Sequence, residues 1–294
     1  MYYIQEDDKP KIINKILNKI IIDSDKIILP ISKEKIETNL EENNNKMQKK
    51  LIIDEEKIAK KLVKILKKQS SKKLVLSKNI HKSQKIIDTL NQENFDLIDG
   101  RWIFPRISIE ILEYILKKQD LKKEETSLYI LVNDIEDVVI QNIKEFAKQY
   151  KSINIITNHM EKLRKIESKI LKDLGISLII ANNKRKSLTK AKIILNYDFP
   201  KELLNQYNIN ENAIIVNILG NMKINKKRFN GTIINDYEIS YKTEKEYNIN
   251  DNKYFPKEIY EAQFYKEQPY INVREKILKD NVKIEKLYTL NGEL

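Results

Sequence analysis

Between Leu128 and Ile218 five short apolar runs alternate with segments of helical period, and no other feature constrains the fold as much. The runs are Leu128 to Val132, Ile153 to Thr157, Ile176 to Ala181, Lys192 to Leu195 and Ala213 to Ile218. Ile135 to Tyr150 and Met160 to Leu174 carry helical spacing, and the second of these stops at Gly175. Strands that are apolar along their whole length are buried on both faces. Alternating with helices, they predict an α/β fold built on a doubly wound parallel sheet over residues 124–220, with five strands and right-handed crossovers.

A smaller α/β domain is predicted ahead of it, over residues 1–123. Ile12, Ile13, Ile16, Leu17 and Ile20 recur at helical spacing, and Lys26 to Ile31 reads as a strand. Glu37 to Lys50 is polar and aperiodic, an exposed loop. Asp54 is placed to cap a helix whose stripe of Ile58, Leu62, Ile65 and Leu66 opposes a lysine face of solvated character. Leu74 to Leu76, a helix through Ile86 and Leu90, and Phe95 to Ile98 make a βαβ-like unit. Asp99-Gly100-Arg101-Trp102 reads as a tight turn before a helix from Ser108 to Lys118, and a strand end carrying Asp99 and Arg101 beside the indole is also a candidate polar site. Residues 221–294 read as a hairpin about Asn230-Gly231, from Met222 to Phe229 and Thr232 to Ile239, with Lys226, Lys227 and Arg228 before its tip. A tail packing back on the body follows, helical near Lys257 to Lys266 and Val273 to Leu287.

The residue inventory excludes much chemistry. The chain has no cysteine, two histidines and five glycines, which rules out thiol catalysis, zinc ribbons and a histidine-rich metal site. No two glycines have the spacing of a phosphate-cradling loop. No run reaches the roughly 18 to 20 apolar residues that span a bilayer, and the N-terminus is acidic, so a cytoplasmic protein without membrane contact is expected. The formal charge of +12 suits a nucleic-acid partner. It also follows from composition: about 50 isoleucines and 30 asparagines accompany the lysines, the pattern of an AT-rich coding bias.

Four of the apolar runs are followed by asparagine, at Asn133, Asn158, Asn182 and Asn196, and the fifth carries Asn217 at its end after Ile215-Val216. In a parallel sheet the carboxyl ends of the strands share one edge, so these amides would either line a common rim or simply terminate their strands. Asn133, Asn158 and Asn196, with Asp134, His159 and Asp198 beside them, are the candidate ligand-binding residues, suited to a neutral polar ligand or a partner's backbone. Asp99 and Arg101 are a second candidate group. No catalytic or metal-binding residue stands out.

The strand ending Ile-Ile-Thr157-Asn158, the helix with Glu161-Lys162-Leu163-Arg164, and the strand Lys192-Ile193-Ile194-Leu195-Asn196 resemble the Rossmann-like cofactor domain of shikimate dehydrogenase and glutamyl-tRNA reductase. The whole chain is also similar to clostridial proteins without an assigned activity. The family resemblance implies a dinucleotide site after the first strand and places His159 where the family has an arginine. Yet Asn133-Asp134-Ile135-Glu136-Asp137 stands where the family's glycines belong. Asp134 is placed to cap the following helix, and acids there repel a pyrophosphate. Small-ligand sensing or protein interaction by a degenerate Rossmann-like domain is therefore the leading expectation, with the cofactor unknown. The alternatives are an NAD(P)- or nucleotide-dependent enzyme with an unorthodox site and a nucleic-acid-binding protein. S-adenosylmethionine methyltransferases are disfavoured by the same missing loop.

Overall fold

The computed structural model describes residues 1–8, 14, 19–31, 55–69, 71–224, 229–242, 252–266 and 272–294. The chain forms two compact units: residues 1–100 with 245–271, and residues 101–244 with 272–294. The expected helix through Ile12 to Leu17, the loop from Glu37 to Lys50, the Asp54 cap and the basic residues 226–228 lie outside the described residues.

In the first unit, β1 (Tyr2–Glu6), β2 (Ile21–Asp23), β3 (Lys26–Leu29), β4 (Lys73–Leu76) and β5 (Asp96–Leu97) form one sheet in the order β2-β3-β1-β4-β5. All pairings are parallel except β2 with β3. The central strand is β1, whose sequence mixes Tyr, Ile, Gln and Glu and gives no apolar run to detect. Helix α1 (Glu55–Leu66) buries Ile58, Ala59, Leu62, Val63 and Leu66 at helical spacing and leaves its lysines in solvent. It packs with α2 (Gln84–Gln92) over a core that includes Ile4, Ile27, Leu29, Leu74 and Leu76. Each such side chain contributes about 1.5–3 kcal/mol on leaving water.

The second unit starts with Arg101 and α3 (Ser108–Lys118). There follow β6 (Ser127–Leu131), α4 (Asp137–Ala147), β7 (Ser152–Ile156), α5 (Met160–Leu174) and β8 (Ile179–Ala181). Next come β9 (Ile193–Asn196), the short α6 (Lys201–Leu204), β10 (Ile214–Asn217), β11 (Thr232–Ile234) and β12 (Asp236–Ser240). The sheet is six-stranded and parallel throughout, in the order β11-β10-β9-β6-β7-β8. From central β6 the chain winds outward to β8, returns to β9 and winds outward again to β11. That is the doubly wound, Rossmann-like order. Gly175 ends α5 in the left-handed conformation at φ 69°, its N–H bonded to the Leu171 carbonyl.

Helix α7 (Pro256–Lys266) belongs to the first unit. The second unit regains the chain at α8 (Val273–Lys279), followed by β13 (Lys283–Thr289) and β14 (Gly292–Glu293).

Two expectations are corrected. Among the described residues, the expected hairpin at Asn230-Gly231 between Met222 to Phe229 and Thr232 to Ile239 has no pairing of its two arms. Instead β11 lies parallel to β10 as a sixth strand, and β12 pairs antiparallel with β13. Gly231 is selected by crowding, because a Cβ there would lie 2.2 Å from the Ala213 carbonyl oxygen. The helix expected through Leu287 stops at Lys279, because Asn281 takes a positive φ of 48° and turns the chain into β13.

Candidate functional site

The second sheet changes winding direction between β6 and β9, and the carboxyl ends of these two strands define its switch point. Asp198 stands there, two residues beyond β9. Its carboxylate accepts the Asn133 N–H at 2.7 and 2.8 Å and the Asp134 N–H at 2.5 Å. Burial pushes the Asp198 carboxyl above the ordinary carboxylate range, while these backbone donors and His159 pull it back. The residue that precedes α4 as its N-cap is Glu136, and no side chain caps that end, which corrects the expectation that Asp134 does so.

One strand further out, the Asn133 side-chain oxygen accepts the Asn158 N–H at 2.9 Å and joins the loops after β6 and β7. Asn158 and His159 are exposed at the entrance to α5. The Thr157 hydroxyl oxygen accepts the His159 N–H at 3.0 Å. An open depression of about 540 Å³ lies there, lined by Asn158, His159, Met160, Glu161, Lys162 and Lys165. The structure thus brings Asn133, Asp134, Asn158, His159 and Asp198 to one rim.

Asn196 is elsewhere in chemical terms. It is fully buried, its amide nitrogen donating to the Phe199 carbonyl at 2.9 Å and to Asn217 Oδ1 at 3.0 Å, and its oxygen accepting the Phe199 N–H at 2.9 Å. Asn217 in turn donates to the Gly220 carbonyl and to Asn235 Oδ1. Asn235 closes the series by exchanging two hydrogen bonds with the Met222 backbone. Three carboxamides therefore form a buried ladder across the ends of β9, β10 and β11, in which each amide nitrogen donates and each amide oxygen accepts at least one hydrogen bond. Asn235 was the member not foreseen, although Ile233-Ile234-Asn235 repeats the ending of the other strands. The ladder pins loops and is closed to solvent.

Arg101 belongs to the second unit, where its guanidinium donates to the Asn235 carbonyl at 2.8 Å and lies 5.6 Å from the Phe104 ring centre. Asp99 belongs to the first. Gly100, between them, takes a positive φ of 83°, as a tight turn requires. Trp102 is half-buried and stacks on the Arg106 guanidinium at 3.6 Å. A separate buried group, in which Asn142 Nδ2 donates to Ser108 Oγ at 3.0 Å and to the Tyr197 hydroxyl oxygen at 2.8 Å, fixes α4 behind the switch point. Burial pushes the Tyr197 phenol up to about 12. Among the described residues no group of three or more His, Asp or Glu side chains could hold a metal ion, and no helix is long and apolar enough to cross a membrane.

No protein-family model matches the chain, and no curated protein matches it in sequence. Among solved structures, the L-tryptophan dehydrogenase from Nostoc punctiforme aligns with 65% of this chain and 49% of its own, at 7% identity and a TM-score of 0.28. This chain therefore spans about half the length of that dehydrogenase. The ornithine carbamoyltransferase from Pyrococcus furiosus aligns with 77% of this chain and 74% of its own, at 10% identity and a TM-score of 0.28. Likeness at this level carries no functional argument, and the fold assignment rests on the strand order.

Proposed function

We propose that the second unit is a degenerate Rossmann-like binding domain, which takes a small polar ligand or a protein partner at the rim of Asn133, Asp134, Asn158, His159 and Asp198. The observation that carries this reading is the position of the Asp198 carboxylate. At the switch point of a doubly wound sheet, the backbone N–H groups after the first strand are the ones a cofactor pyrophosphate would use. Here an internal carboxylate already accepts them, and Asp134 and Glu136 add negative charge beside it. A dinucleotide would have to displace one anion and approach two others. A neutral ligand meets no such barrier, and the exposed amide of Asn158 with the His159 imidazole offers it both donors and acceptors.

A thermal-shift screen of nucleosides, sugars, amino acids, NAD, NADP and S-adenosylmethionine tests the reading. A neutral polar compound should stabilise the protein, by about 2.7 kcal/mol at a hundred times its Kd. Asn158→Leu with His159→Ala should remove that response and leave the unliganded protein's stability unchanged. Stabilisation by NAD or NADP that is lost on changing Asn133 overturns it.

One observation favours a nucleic-acid reading instead. The connection from β8 to β9 carries Lys184, Arg185, Lys186, Lys190 and Lys192 with no acid among them, all exposed. Short oligonucleotides at two salt concentrations belong in the same screen, because phosphate-driven binding weakens steeply with salt.

A further inference from the structure

The first unit has a switch point of its own. From central β1 the chain runs to β3 on one side, then returns past it to β4 and on to β5, so the winding changes direction between β1 and β4. Glu6 ends β1 and Ser77 follows β4, and both side chains are buried. The Ser77 hydroxyl donates to Glu6 Oε2 at 2.5 Å, and the Asn79 amide donates to Oε1 at 2.7 Å. Glu6 is thereby satisfied.

The next turn carries His81, and α7 brings Glu258 to it. His81 Nε2 lies 3.0 and 3.1 Å from the two oxygens of the Glu258 carboxylate. Glu258 is only 2% exposed, whereas His81 keeps 24% of its side-chain surface open. Among the described residues no other side chain bonds the Glu258 carboxylate, and His81 Nδ1 has no hydrogen-bond partner. The imidazole stands edge-on to Phe255 with ring centres 5.4 Å apart, and Lys78 Nζ lies 5.7 Å from the centre of the same phenyl ring. Lys78 makes no ion pair with any described residue. Its N–H donates to the carbonyl of Lys253, whose ammonium is engaged by Asp8 at 2.6 Å.

A carboxylate held out of water needs a counter-charge in contact, and His81 is the one in place. Lys257 and Asp99 act on Glu258 at longer range with opposite signs. A protonated imidazole in contact with Glu258 through Nε2 would neutralise it and keep Nδ1–H as its remaining donor, and Lys78 stands against the same Phe255 ring. Which ring nitrogen carries the proton in the neutral imidazole is set by the bond the other one makes. Switch points are where open α/β sheets bind their ligands.

We propose that the β1/β4 switch point of the first unit is a proton-gated site for a small oxyanion, held by His81 Nδ1–H and Lys78 and backed by Glu258. Where His81 is neutral beforehand, binding takes one proton from solvent onto Nδ1, and no covalent bond beyond that N–H forms or breaks. The site is separate from the rim of the second unit and does not depend on its reading.

Sulfate is the probe, because it keeps one charge state across the range in which imidazole titrates. It is added to the full-length protein at constant ionic strength, with chloride as the balancing ion, while the two histidines are followed by NMR. Sulfate should raise the titration midpoint of His81 and leave that of His159 in place. Its affinity should fall about tenfold per pH unit above the His81 midpoint, the slope for one linked proton. His81→Gln should flatten that dependence, and Lys78→Ala should weaken binding with the slope retained. Acetate at the same pH values tells a carboxylate source from a tetrahedral one. A His81 midpoint moved by neither anion, or a sulfate affinity independent of pH, overturns the proposal. If His81→Gln fails to fold, the wild-type NMR titration decides alone, since the chain has only two histidines.

Discussion

Asp198 and the carboxamide ladder use the same device, a short polar side chain that satisfies backbone groups freed where strands end. They differ in what replacement does. Asn217 bonds Asn196, Gly220 and Asn235 at once, all buried at the strand ends. Asn217→Leu should therefore cost about 2–4 kcal/mol in urea denaturation, because it leaves several buried polar groups unpaired. Asn196→Leu should destabilise in the same way, so it cannot serve as a ligand-site probe that spares the fold. Asp198→Ala frees two backbone N–H groups that lie nearer to solvent, and its cost should be smaller, about 1–2 kcal/mol. The asparagines were visible in the sequence as strand endings, since each stands at or just past the end of an apolar run. Their division into a buried ladder and an open rim was not visible, because an amide in a sequence carries no sign of which neighbouring strand end it will face.

Helices and strands with strong periodicity stood out at this level, and the exceptions have physical causes. Helices α3 and α5 span the ranges their spacing predicts, Ser108–Lys118 and Met160–Leu174, and each packs against a strand. Strand β1 went undetected since buried Glu6 is paid for by Ser77 and Asn79, which are more than seventy residues away. Strand β11 was misread because Asn-Gly signals a hairpin locally, whereas the tertiary crowding at Ala213 is what demands glycine. Gly231→Ala should consequently loosen the β10–β11 pairing by about 2 kcal/mol or more. Faster amide exchange at Thr232, whose N–H bonds the Ala213 carbonyl at 3.0 Å, would report it. Between α3 and α8, Glu110 accepts from Arg274 at 2.5 Å, yet burial raises its carboxyl above the ordinary range. A folded-state carboxyl that titrates higher than in the unfolded chain binds extra protons in the window between the two, so its contribution to stability falls as pH rises through that window. Glu110→Gln should thus gain on the wild type as pH increases from about 4.3 upward, as read by urea midpoints at successive pH values.

At the scale of the whole molecule, both units are α/β sheets in which a carboxylate is hydrogen-bonded at the place where the winding reverses. In the first, the Glu6 carboxylate accepts from Ser77 and Asn79. In the second, Asp198 takes the backbone donors that a phosphate would need. The return of residues 245–271 to the first unit, which delivers Glu258 to His81, was illegible in the sequence because the pair is 177 positions apart. The central functional claim is that Asp198 stands in for the cofactor anion. Isothermal titration of NAD and of inorganic pyrophosphate against the wild type and Asp198→Ala tests it most directly. The account predicts no heat of binding for either ligand with the wild type and measurable pyrophosphate binding once the carboxylate is removed. Micromolar NAD binding to the wild type, weakened by Asp198→Ala, would contradict it.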